Sequence, residues 1–241
     1  MTEIDYTDFD YKKIFWEKGD RRYEDFADRL ALRRLLPKTG EKFLDVCGGF
    51  GRLADEYLGR YTEVCLFDYA ENLLKQARAA HSPKLKTAQG SVYALPFADG
   101  EFDALIMVRA AHHLADFPAA IAETARVLKP GGRAVVEIAN KRNLLEILRW
   151  CLGRSQMRPF ALEPTSRGAK GVWNFHPLYA EQVFRESGLR IKKSLSVSGL
   201  RFGPLKKILG RRLLCALEYP SQRLGMKLTP SLYYLLEKPN A

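Results

Sequence analysis

Apolar residues along this chain fall into two alternating rhythms. Short unbroken apolar runs, KFLDVC (42–47), TEVCLFD (62–68), LKTAQG (85–90) and FDALIMV (102–108), read as strands. Runs of this kind belong to strands covered on both faces. Between them, apolar positions recur at helical spacing. The pattern predicts helices from about Arg52 to Arg60, over AENLLKQARAA (70–80) and over PAAIAETARVL (118–128). KPGGRAVVEIA (129–139) reads as a turn leading into a fifth strand. PLYAEQVFRESG (177–188) follows as a helix, then RIKKSLSVS (190–198) and SLYYLLEK (231–238) as strands. The first 40 residues are helical in pattern and rich in aromatics, and they close at Pro37 and Gly40.

Strands alternating with helices imply parallel crossover units and an α/β sheet with helices on both faces. The reading is one domain over 1–241, with an N-terminal helical cap (1–40) and a central core (41–140). The last part (141–241) holds substrate-side insertions and the last two strands, which are separated by a long insertion rather than a tight turn.

Composition is ordinary for a globular protein, with 46% hydrophobic and 28% charged residues among 241. No apolar run approaches the roughly 18 residues of a membrane span. The opening MTEIDYTDFDYKK lacks the basic-then-apolar pattern of an export signal, so the expected location is cytoplasmic. Cys47, Cys65, Cys151 and Cys215 are widely spaced, which suggests reduced thiols and no metal site. Charge is distributed unevenly. Residues 1–140 carry 20 Lys and Arg against 22 Asp and Glu, whereas residues 141–212 carry 16 against 4.

The clearest chemical signal is LDVCGGFGRLA (44–54), a strand running into a glycine turn. Gly48, Gly49 and Gly51 permit unusual backbone angles and close ligand approach. Such turns also serve dinucleotides, whose pyrophosphate sits at a helix N-terminus. Asp45 argues against that use here, because a carboxylate just before the turn suits a cationic ligand. S-adenosylmethionine offers an ammonium and a sulfonium and no phosphate. Asp68 ends the second strand, where an acidic side chain accepts both ribose hydroxyls of an adenosine. It would serve NAD equally, or act only as a helix cap.

LDVCGGFGRLA, LFDYAENLLKQAR, AQGSVYALPFADGEFDALIMVRAAHHL and ARVLKPGGRAVVEIA together resemble the class I S-adenosylmethionine-dependent methyltransferases of the UbiE-like group. The resemblance runs from about residue 40 to 140. It implies a Rossmann-like, seven-stranded, mostly parallel sheet with insertions after strands 5 and 6. It also implies S-adenosylmethionine as cofactor. In that family Asp45 and the glycine turn hold the methionine end, Asp68 holds the ribose, Tyr69 packs on the adenine, and Gly90, Ser91 and Val92 line the adenine edge. Two departures stand out. The family usually has Gly at the position of Cys47 and Cys at that of Gly48, so the pair looks transposed. It commonly has Asp where Ser91 stands.

Methyl transfer needs a general base only when the acceptor must lose a proton. His112 and His113, just after the fourth strand, are the candidates, with a buried structural turn as the alternative. Arg109 is placed to touch cofactor or acceptor. His176 shares the ambiguity of His113. The N-terminal aromatics Tyr6, Phe9, Tyr11, Phe15, Trp16 and Tyr23 either form a lid or pack a helix onto the sheet. The basic segment 201–218 reads as a peripheral membrane contact, a nucleic-acid surface or a solvated helix face. No Asn/Asp-Pro-Pro-aromatic motif follows the fourth strand, which weakens nucleic acid. The expected partner is a small-molecule or lipid-like acceptor. A non-catalytic cofactor- or partner-binding module, a nucleic-acid methyltransferase and a nicotinamide dehydrogenase stay open as alternatives.

Overall fold

The apolar runs become strands because each has two faces to bury. In β1 (Gly40–Val46), Phe43 and Leu44 are consecutive, fully buried, and on opposite faces of the sheet. Leu66 and Phe67 repeat this in β2 (Tyr61–Asp68), and Leu105 and Ile106 in β4 (Phe102–Met107). With β3 (Lys86–Gln89), β5 (Leu128–Ala139), β8 (Arg190–Val197) and β9 (Ser231–Glu237), they form a seven-stranded sheet in the order β3-β2-β1-β4-β5-β9-β8. The computed structural model that shows this describes residues 12–17, 21–167 and 171–240. The first five strands are parallel, and β9 runs antiparallel to both neighbours. The mostly parallel sheet expected from the sequence is therefore present.

Helices cover both faces. Ala27 and Ala31 of α1 (Arg22–Leu35) and Leu74 and Ala77 of α2 (Glu71–His81) join Phe43 and Ile106 on one side. Ile121 of α3 (Phe117–Val127) and Phe184 of α5 (Pro177–Glu186) join Leu44 and Leu105 on the other. The N-terminal helix thus packs with α2 as part of one layer of the domain. After β5 come α4 (Leu144–Cys151) and a small antiparallel pair, β6 (Thr165–Arg167) with β7 (Val172–Asn174). After β8 comes α6 (Gly203–Ser221), kinked at Gly210. The β6–β7 pair is too short to leave a periodic signature.

One expected helix is absent. Residues 52–60 form turns with only a single 3₁₀ turn at Ala54–Glu56. Side-chain demands explain the difference. Tyr57 is wholly buried, with its ring 4.5 Å from that of Phe43, and Arg52 reaches across to Asp25 and Asp28. Gly51 and Gly59 on either side adopt positive φ. Tertiary contacts override a helical pattern this short.

Candidate functional site

The chain lays β1, β2 and β3 outward in one direction and then returns to the other side of β1 for β4. Open α/β sheets bind ligands at the carboxyl edge beside such a reversal. A cavity of about 440 Å³ lies there, within the roughly 300–1,000 Å³ of small-molecule sites. Asp45, Cys47, Gly48, Gly49, Asp68, Tyr69, Ser91, Val92, Arg109 and His113 all line it. Gly51 and His112 do not. Gly51, at φ +76°, faces α2, where an added Cβ would come 3.1 Å from the His81 ring.

The transposed pair has a geometric explanation. Cys47 itself takes the left-handed conformation, φ +57°, which the usual glycine would adopt without penalty. At Gly48 a Cβ would stand 2.6 Å from the Asp45 carboxylate and 2.7 Å from Leu66. This turn accepts a side chain at 47 and none at 48.

Two carboxylates frame the turn. Asp45 is buried, and its Oδ2 accepts a 2.6 Å hydrogen bond from the Tyr57 hydroxyl. Burial, reinforced by Asp68, pushes the Asp45 carboxyl up to about 7. Asp68 accepts from the backbone N–H of Gly49 and of Ala70, each at 2.9 Å, tying the turn to the start of α2. Burial raises its pKa as well. Two desolvated acids against a cradle that a Cβ would fill suit a ligand that brings positive charge and hydroxyls. A pyrophosphate would meet both carboxylates. The residues present therefore fit S-adenosylmethionine, which brings positive charge and hydroxyls, and Asp45, Asp68, Tyr69, Ser91 and Val92 all reach the same cavity.

Arg109 touches the cavity, but its guanidinium is committed elsewhere. It donates to Asp28 at 2.9 and 3.2 Å and to Ser231 at 3.3 Å. Its N–H donates to Glu137 in β5, and its own φ is +59°. Asp28 also accepts from Arg52 at 2.9 Å and from the Tyr233 hydroxyl at 2.7 Å. Burial works against the Asp28 charge, yet Arg109 and Arg52 hold its carboxyl below the usual range. This buried network joins α1, the glycine turn, β4 and β9.

The histidine pair occupies a 3₁₀ turn after β4. Burial, with Arg109 and Arg201 adding, pushes His112 down to about 3. Burial and His112 do the same to His113, also to about 3. At neutral pH both rings are uncharged and weakly basic. His176 is placed differently: it is buried, and its Nδ1 accepts from Leu178 N–H as the N-cap of α5.

Of the N-terminal aromatics, Tyr6, Phe9 and Tyr11 lie outside the described residues. Trp16 lines the cavity, with the Arg52 guanidinium 3.7 Å from its ring centre. Tyr23 is buried and donates to Glu218 of α6 at 2.6 Å, so it packs rather than roofs. Tyr57, Arg52 and Asp28 have no marker in the local sequence, because each is defined by a partner distant in the chain.

The fold and this site define a nucleotide-type α/β domain built for an adenosyl cation. Residues 44–136 match the methyltransferase domain family. Over that segment the chain is similar to the class I S-adenosylmethionine-dependent methyltransferases, and its fold is shared with solved methyltransferases. It is 33% identical over 127 residues to the ubiquinone/menaquinone biosynthesis C-methyltransferase UbiE of Paracoccus denitrificans, covering 50% of each chain. It is 35% identical over 124 residues to 2-phytyl-1,4-naphtoquinone methyltransferase of Synechocystis, covering 47% of this chain and 52% of that one. The chain thus spans about half the length of these curated relatives. Among solved structures it resembles the methyltransferase bound to the Haloferax volcanii Trm112 activator, with TM-score 0.68 and 18% identity over 95% and 96% of the two chains.

Proposed function

We propose that the protein transfers the methyl group of S-adenosylmethionine to a small, lipid-like acceptor. One observation carries the reading: Asp45 and Asp68 converge, desolvated, on a single cavity at the sheet reversal. The acceptor class is supported by the apolar side chains in the cavity lining, Trp16, Phe50, Tyr93 and Leu114 among them, and by the quinone names of the relatives. A peripheral membrane contact through 201–218 belongs to the same reading.

Bound S-adenosylmethionine supplies an electrophilic methyl carbon on a good leaving group. The chain's part is to position the acceptor in line and exclude water. Trp16 and Arg52 line the site as a stacked pair. His113 lines it as a neutral imidazole, able to orient an acceptor hydroxyl. Its low basicity suits an acceptor that arrives already ionised.

The test is a transfer assay with radiolabelled S-adenosylmethionine, offering short-chain demethylated quinols, small amines and RNA in parallel. Label in the quinol is the expected result. Label in RNA alone, lost steeply with salt, would replace this reading with a nucleic-acid methyltransferase.

A further inference from the structure

We propose that two stretches at the carboxyl edge of the sheet, 144–162 and 202–226, together form a surface that lies on an anionic lipid membrane. Among the described residues, every large apolar side chain that is exposed falls in these stretches, apart from Tyr69 and Leu178. Leu152 is 66% exposed and Ile208 78%, with Leu224 and Met226 above 60%. Surface apolar residues concentrated in this way mark an interaction site.

The two stretches meet where the loop after α6 reaches the start of α4. The Leu144 N–H donates to the Leu228 carbonyl at 2.8 Å. The Asn140 side chain donates to the Lys227 and Thr229 carbonyls at 2.9 and 2.8 Å. The loop after α6 is thereby laced to the start of α4. β8 runs parallel to β5, through their shared antiparallel neighbour β9. α4 and α6 therefore both leave the edge that holds the cavity. α6 is anchored by its buried Glu218, which accepts from Tyr23 and from the Ser198 N–H. Its Ile208 and Leu217 are left outward.

Charge selects the partner. The 16 Lys and Arg against 4 Asp and Glu in 141–212 include exposed Arg154, Arg158, Arg211 and Arg212 among the apolar side chains. A second copy of the chain would set this cationic face against itself. An anionic bilayer complements it, with apolar groups entering the interface and arginines meeting headgroups. No helix among the described residues is long and apolar enough to cross a membrane, which fits contact along the surface. Such contact gives a lipid-like acceptor a path from bilayer to cavity, and in that it rests on the acceptor reading.

The experiment is flotation of the full chain with phosphatidylcholine vesicles and with vesicles of mixed phosphatidylcholine and phosphatidylglycerol. The chain should float with the anionic vesicles only, and less at high salt. I208S/L224S and R211E/R212E should each weaken partitioning at least about tenfold. Calorimetric binding of S-adenosylmethionine should be unchanged in both variants, which separates this proposal from that of the active site. Failure of the wild type to float with anionic vesicles would overturn it. So would a dimer in sedimentation velocity that I208S/L224S dissolves.

Discussion

Burial and Asp68 raise the Asp45 carboxyl to about 7, so near neutrality it exists in both protonation states. A cationic ligand prefers the carboxylate, so binding must release the proton whenever the pH lies below about 7. Affinity for S-adenosylmethionine should then fall about tenfold for each pH unit below that value. The Asp45→Asn variant should bind weakly with a flat profile. A steep profile in that variant would assign the titration elsewhere. Cys47 makes a separate prediction. A left-handed non-glycine residue costs about 1–2 kcal/mol, while glycine loses about 0.5–1 kcal/mol through its freer unfolded state. Cys47→Gly should therefore raise stability by up to about 1.5 kcal/mol, read as a higher urea midpoint. Gly48→Ala should instead abolish ligand binding, because its methyl occupies the place of the Asp45 carboxylate.

Between elements, the critical join is the Asp28 network, which ties α1 to the glycine turn through Arg52 and to β4 through Arg109. Replacing Asp28 by Asn removes the carboxylate that two mostly buried arginines share, leaving Arg52 with Asp25 and Arg109 with Glu137. The expected loss is at most about 3–5 kcal/mol in urea unfolding. The Asp28 carboxyl is held below its ordinary value of 3.8 in the fold. Its stabilisation is thus present above that value and lost as the pH falls beneath it; the variant should lack this acid-sensitive component. The network also shows where sequence reading stops. β1, β2 and β4 were legible because buried parallel strands are apolar on both faces. Asp45 and Asp68 were legible because each sits at a fixed distance from the glycine turn. Nothing near Asp28 or Tyr57 announces a partner 81 or 12 residues away. The 52–60 segment was misread as helix because its local pattern carries no trace of the Phe43 ring beneath it.

At the scale of the molecule, the near-neutral residues 1–140 carry the glycine turn and the whole cavity lining, whereas the cationic stretch supplies α4 and the start of α6 at the carboxyl edge. On the proposed reading this division separates donor binding from acceptor capture. The donor half carries the central claim, and calorimetry tests it most directly. The wild-type protein and Asp68→Ala should be titrated with S-adenosylmethionine, with its demethylated product and with NAD. A hydrogen bond to a charged group contributes about 1.5–3 kcal/mol. The account therefore predicts binding of the first two ligands, weakened roughly 10- to 150-fold by the substitution, and no binding of NAD. Wild-type protein that ignores both adenosyl compounds, or that takes NAD in preference, would contradict it.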